Sequence, residues 1–140
     1  MTIKEIEEQL KRVKKGYDLI QRLQLKYQSL DNGLLSGTNQ FQTRVTMSKT
    51  NNAENKLLDT LELRDKIVEQ ISDLIDERIA TMNLIDQLDE IEEWLVLVMI
   101  YFNNLPMVKI CNELNFSKVQ IYRIRKKAIE NLAKVENANQ

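Results

Sequence analysis

The sequence of 140 residues contains no histidine, one cysteine, one proline and three glycines. Without histidine the usual zinc sites and imidazole acid–base chemistry are unavailable. A single cysteine excludes an intramolecular disulfide and any multi-cysteine metal cluster. With so little proline and glycine to interrupt it, a composition rich in Leu, Ile, Glu, Lys, Gln and Asn favours long helices over a strand-rich fold. No apolar run approaches the roughly 20 residues of a membrane span. The start Met1-Thr2-Ile3-Lys4-Glu5 lacks the apolar core of a signal peptide. Neither a phosphate-binding glycine loop nor a nucleophile elbow is present, and the carboxylates are scattered along helical surfaces. These absences lead us to expect an all-α, cytoplasmic protein that is not an enzyme and needs no cofactor, metal or membrane.

What is present is unevenly charged. The net charge is −1, yet residues 1–53 carry 9 Lys/Arg against 5 Asp/Glu, residues 54–93 carry 4 against 13, and residues 94–134 carry 7 against 2. Charges act over a Debye length of roughly 8–10 Å in ordinary salt. A basic C-terminal segment can therefore meet a polyanion while the acidic middle faces elsewhere.

Apolar periodicity sets out the elements. Ile3, Ile6, Leu10, Val13, Tyr17, Ile20 and Tyr27 alternate three- and four-residue steps, with Gln24 the one polar interruption, and predict a first helix over 1–30. Ile3, Ile6, Leu10, Val13, Tyr17 and Ile20 form a coiled-coil-like seam whose partner is either the chain itself or another copy in a homo-oligomer. Turn chemistry at Asp31-Asn32-Gly33 and Ser36-Gly37-Thr38-Asn39 predicts a polar linker over 31–52. A long acidic helix is expected over 53–88. Its stripe of Leu57, Leu58, Leu61, Val68, Ile71, Ile75, Met82 and Ile85, widened by Ile67, Leu74, Ile79 and Leu88, wants two neighbours rather than one.

Residues 89–136 read as a helix-turn-helix domain. The run Trp94 to Phe102 is apolar almost all round and marks the centre of the core; its acidic lead-in Asp89 to Glu93 favours a helix over a strand. Asn103-Asn104 is a turn, Pro106 suits the first turn of the next helix, and Asn115 suits a left-handed closing residue. Ser117 and Gln120 form a capping box for a final helix over Lys118 to about Val135, with Phe116 and Ile121 placed as a hydrophobic staple. Ile121, Ile124, Ala128 and Leu132 share its inner face, and Cys111 reads as a small residue at a close crossing. Ser117, Lys118, Val119, Gln120, Tyr122, Arg123, Lys126 and Lys127, with Lys109 from the preceding helix, are the candidate DNA-binding residues. The first-turn side chains are placed for base edges, and Arg123, Lys126 and Lys127 for phosphates. A charge run is often only a solvated face; the helix, tight turn, cap and staple before this one favour double-stranded DNA.

The segment Ile110-Cys111-Asn112-Glu113-Leu114-Asn115-Phe116-Ser117 resembles the "Ile-Ala-x-x-Leu-Gly-hydrophobic-Ser" core of region 4 of sigma-70 factors, and Ile121, Ala128 and Leu132 continue that register. With Ser48 to Glu54 and the helix entering Trp94 to Phe102, the chain resembles the sigma-like phage transcriptional regulators of the ArpU and RinA type. The resemblance implies a DNA-binding regulator of late or packaging genes in phages and prophages of Gram-positive bacteria. Cys111 and Asn115 depart from the pattern's alanine and glycine. Leu105-Pro106-Met107 replaces a Ser-aromatic start, and Lys109 stands where glutamate is common. One 30-residue reader covers few base pairs, so paired half-sites in an oligomer are expected to supply specificity. Two other readings remain open: a phage DNA-packaging recognition subunit of the small-terminase kind, and a helical module that contacts bacterial RNA polymerase through the acidic Glu54 to Glu93 helix.

Overall fold

A computed structural model describes the backbone of residues 1–42 and 47–138 and the side chains of residues 1–32 and 54–138. Among the described residues there are helices only: α1 Ile3–Gln42, α2 Met47–Ile85, α3 Ile91–Leu97, a π-helical turn Val98–Phe102, α4 Met107–Leu114 and α5 Lys118–Ala138. The fold is all-α. No helix among the described residues is long and apolar enough to cross a membrane. The chain divides into two units, one of Met1–Asp18 with Asp76–Gln140 and one of Leu19–Ile75.

Helix α1 opens with a capping box of its own. The Glu5 N–H donates to Thr2 Oγ1 at 3.2 Å, and the Thr2 N–H donates to the Glu5 carboxylate at 3.4 Å. At its other end the expected linker gives way to helix, since α1 continues through residues 31–42 and α2 begins at Met47. Residues 43–46 lie outside the described residues. Helix over 31–42 has an energetic reason: a glycine in a helix costs only about 1 kcal/mol relative to alanine. Extending a helix already nucleated adds a hydrogen bond per residue, and no proline interrupts the segment.

In the first unit, Ile6, Leu10 and Val13 of α1 join Leu84 and Ile85 of α2, Val96 and Leu97 of α3, Ile100, Tyr101 and Phe102 of the π turn, Ile110 of α4, and Ile121, Ala128, Ile129 and Leu132 of α5. The N-terminal seam is thereby corrected as an oligomerisation surface. Ile6 and Leu10 are fully buried and Val13 is 4% exposed within the chain's own core, because the broad stripe of α2 and the all-apolar run beyond it supply the partners the seam needs. Tyr17 and Ile20 are half-buried, and Ile3 alone of the set is well exposed. Gln9 donates to Thr81 Oγ1 at 2.9 Å and Arg12 pairs with Glu77 at 2.7 Å, so α1 and α2 run antiparallel here.

The π turn accounts for the burial of three consecutive residues, Ile100, Tyr101 and Phe102. At 100° per residue an α-helix would spread such a triplet over most of its circumference; the wider π turn keeps it against the core. Its end is tied down from two sides. Arg78 of α2 donates to the Phe102 carbonyl at 2.8 Å, with its guanidinium 4.9 Å from the Phe102 ring and 5.3 Å from that of Tyr17. Asn104, held at φ 51°, donates to the Lys14 carbonyl of α1 at 3.2 Å. These ties fix where α4 starts.

The second unit has a thinner interior. Leu23 and Ile67 are buried, and Arg64 of α2 donates to the Tyr27 hydroxyl at 2.6 Å, lies 4.8 Å from that ring and meets Asp31 at 3.4 Å. The Tyr27 hydroxyl, ahead of the Asp31 charge, raises the Arg64 pKa further.

Candidate nucleic-acid interface

Helix α4 starts after Pro106, whose extended backbone (φ −62°, ψ 149°) occupies the cap position one residue earlier than the sequence suggested. It ends at Asn115, which adopts the left-handed conformation at φ 57°, ψ 37°, as expected of a residue whose side chain tolerates positive φ. The Asn115 and Phe116 N–H groups both donate to the Cys111 carbonyl. Two residues further on, α5 begins with a closed capping box: the Gln120 N–H donates to Ser117 Oγ at 3.2 Å and the Ser117 N–H donates to Gln120 Oε1 at 2.8 Å. Phe116 packs on the same apolar cluster that contains Ile121. The turn between α4 and α5 is thus short and closed at both edges.

Packing then decides which face of α5 is free. Ile121, Ala128 and Leu132 are fully buried, Ile129 and Ala133 nearly so, and Ile124 is half-buried. Helix α3 lies along α5, and α4 packs on α5 and on the π turn. Cys111 is half-buried against the core and makes no disulfide. Lys109, Ser117, Lys118, Val119, Gln120, Tyr122, Arg123, Lys126 and Lys127 are all exposed. Every one of the candidate residues therefore reaches solvent, but they are not equivalent.

Four differ from the simple expectation. Ser117 Oγ and one lone pair of the Gln120 amide oxygen are engaged by the cap, which leaves the amide N–H donors of Gln120 its freest groups. Lys127 lines a cleft of about 420 Å³ together with Glu93, Asn131 and Lys134 on the α3 side of α5. There Glu93 is 4% exposed, and Asn131 donates to both its carboxylate oxygens at 2.9 Å. Tyr122 is 42% exposed and flanked by two cations, with Lys118 at 5.9 Å and Arg125 at 5.4 Å from its ring centre.

Arg125 and Val108 are additions that the sequence reading did not make. Arg125 is half-buried between Tyr122 and the Tyr101 hydroxyl. Burial raises the Tyr101 pKa above the usual phenol range, against the opposing charge of Arg125. Its signal was the spacing: Lys118, Tyr122 and Arg125 stand at i−4, i and i+3, the neighbour distances of a helix surface. Val108 in the first turn of α4 is 73% exposed and Val119 in the first turn of α5 is 57% exposed. No group of three or more His, Cys, Asp or Glu side chains that could hold a metal occurs among the described residues.

Residues 34–133, which include α2, α3, the π turn, α4 and α5 up to Ala133, match the family described as "Protein of unknown function (DUF1492)". The chain belongs to this family. No curated protein and no solved structure matches the chain. The match to DUF1492 leaves out the whole N-terminal seam, although Ile6, Leu10 and Val13 complete the core of the matched part.

Proposed function

We propose that this chain is a sequence-specific DNA-binding transcriptional regulator that reads double-stranded DNA through α4, the turn and α5. The observation that carries the reading is the start of α5. Its first turn is locked by the reciprocal cap, and Lys118, Val119, Tyr122 and Arg123 are still left in solvent. A helix N-terminus presented in this way can enter the major groove with its first side chains toward base edges. Its free N–H groups and basic residues also suit phosphate. Exposed valines at 108 and 119 offer contact to thymine methyl groups, and Gln120, whose amide oxygen already accepts from Ser117, presents its N–H donors most freely, which suits the acceptor edge of guanine. Arg123, Lys126 and Lys109 would supply phosphate contacts, with Lys127 set beside the cleft that Glu93 also lines.

The resemblance to region 4 of sigma-70 factors and to the ArpU and RinA regulators extends the same proposal to phage or prophage late genes and to a bacterial cytoplasmic setting. It also extends to RNA polymerase as a protein partner. Pairing of half-sites by self-association belongs to it as well, through a surface other than Ile6, Leu10 and Val13. No catalytic step or cofactor is part of the reading.

The test is selection of bound DNA from a random pool, followed by a salt series on the selected site. The double substitution Arg123→Ala, Lys126→Ala is expected to lower the slope of log affinity against log salt by about 2, at close to one unit per lost phosphate contact. Unchanged affinity and slope, or a pool that yields no preferred sequence, would overturn the proposal.

A further inference from the structure

The long stripe of α2 that wanted two neighbours has an unclaimed side in the second unit. Leu57, Leu61, Val68 and Ile75 are 45%, 39%, 51% and 40% exposed. Leu61, Val68 and Ile75 recur at intervals of seven, with Leu57 four residues before the first, the spacing of a helix-pairing seam. Isolated exposed leucines are ordinary, but a row of them in heptad register along one helix is not. Arg64, which meets Tyr27 and Asp31, marks the side of α2 that α1 occupies. The row runs beside it for about 27 Å, the length of eighteen residues at the helical rise.

The flank of this row decides its occupant. Leu61 is followed directly by Glu62 and Val68 by Glu69, with Asp65 between them, and all three carboxylates are exposed. They lie on one edge of the apolar row, turned away from Arg64. Two copies joined row to row in antiparallel fashion would bring these edges together and set carboxylate against carboxylate, which disfavours that pairing. A helix with the same apolar spacing and Lys or Arg on its flanks would satisfy both the row and its edge.

We propose that the Leu57–Leu61–Val68–Ile75 face of α2 is a docking surface for a basic amphipathic helix of a partner protein. The proposal uses no property of α5, so it stands or falls apart from DNA binding.

Its test uses the full chain and a fluorescent 21-residue peptide with Leu at heptad a and d positions and Lys on its flanks, followed by anisotropy. A control peptide carries Glu in place of each Lys. The Lys peptide is expected to bind more weakly as salt rises, and to lose at least tenfold in affinity to the Leu61→Asn, Val68→Asn variant. The Glu peptide is expected to bind at least tenfold more weakly than the Lys peptide, and the Glu62→Lys, Glu69→Lys variant to reverse that preference. Circular dichroism and urea unfolding midpoints, both unchanged, would show that the variants fold. Equal binding of the two peptides, no binding of the Lys peptide, or indifference to the substitutions would overturn the proposal. So would a dimer in sedimentation that dissociates on Leu61→Asn, Val68→Asn, since a second copy would then hold the face.

Discussion

The two units are built from the same two long helices and differ in how completely those helices are covered. In the first, α1 and α2 meet α3, the π turn, α4 and α5, and side chains such as Ile6, Leu10, Leu97, Ile110 and Leu132 lose all contact with water. In the second, α1 and α2 have only each other among the described side chains, and burial is confined to Leu23 and Ile67 while four seam residues of α2 remain wet. An apolar stripe thus records how many neighbours a helix is built for; whether they come from the same chain depends on topology.

Substitutions should separate the units sharply. The largest effect is expected for Leu97→Ala, which empties a fully buried site and should lower unfolding free energy by about 2–5 kcal/mol in urea titrations. A loss below about 1 kcal/mol would mean that the core of the first unit is looser than its burial implies. Arg78→Ala comes next. It removes the donor to the Phe102 carbonyl and a cation between two rings, and should cost about 2–3 kcal/mol. Hydrogen exchange should be fastest at the π turn and the start of α4. Ser117→Ala opens one half of the α5 cap; about 1 kcal/mol of stability should go. DNA affinity should fall with it, and Ser117→Thr should restore both. The smallest change belongs to the second unit, where Val68→Ala should alter stability by no more than about 0.5 kcal/mol. A larger loss would show that the face is already covered by a second copy.

How much of this was legible in the sequence depended on how far each interaction reaches. The α5 cap and the left-handed Asn115 are set within a few residues, and the spacing Ser-x-x-Gln announces the first as the asparagine itself announces the second. The burial of Ile121, Ala128 and Leu132 followed from periodicity alone. By contrast, the partner of the N-terminal seam could not be read, because a heptad pattern is satisfied equally by an intrachain or an interchain helix. Glu93 looked like one more acid at a helix start, and only Asn131, on another helix, shows why it can be buried. The π turn was hidden because an all-apolar run contains no mark of where an extra residue is accommodated. The polar segment after residue 30 misled for a different reason. Glycine and asparagine end a helix only where they turn left-handed, as Asn115 does, and otherwise weaken it without stopping it; no proline is present in that segment to stop it outright.

The reciprocal cap at Ser117 and Gln120 has a consequence for how such a protein could change its target. Under the proposed reading, a side chain that closes a helix and also faces DNA cannot drift without unsettling both. Exchange of Gln120 for Glu keeps the closure but sets a negative charge against phosphate, and exchange for Arg adds a good guanine contact but opens the helix. Retuning is therefore cheaper at Val119 and Tyr122, whose side chains make no cap. If α5 reads DNA as proposed, variation in preferred sequence among related chains should concentrate at those two positions while the pair that starts the helix stays constant.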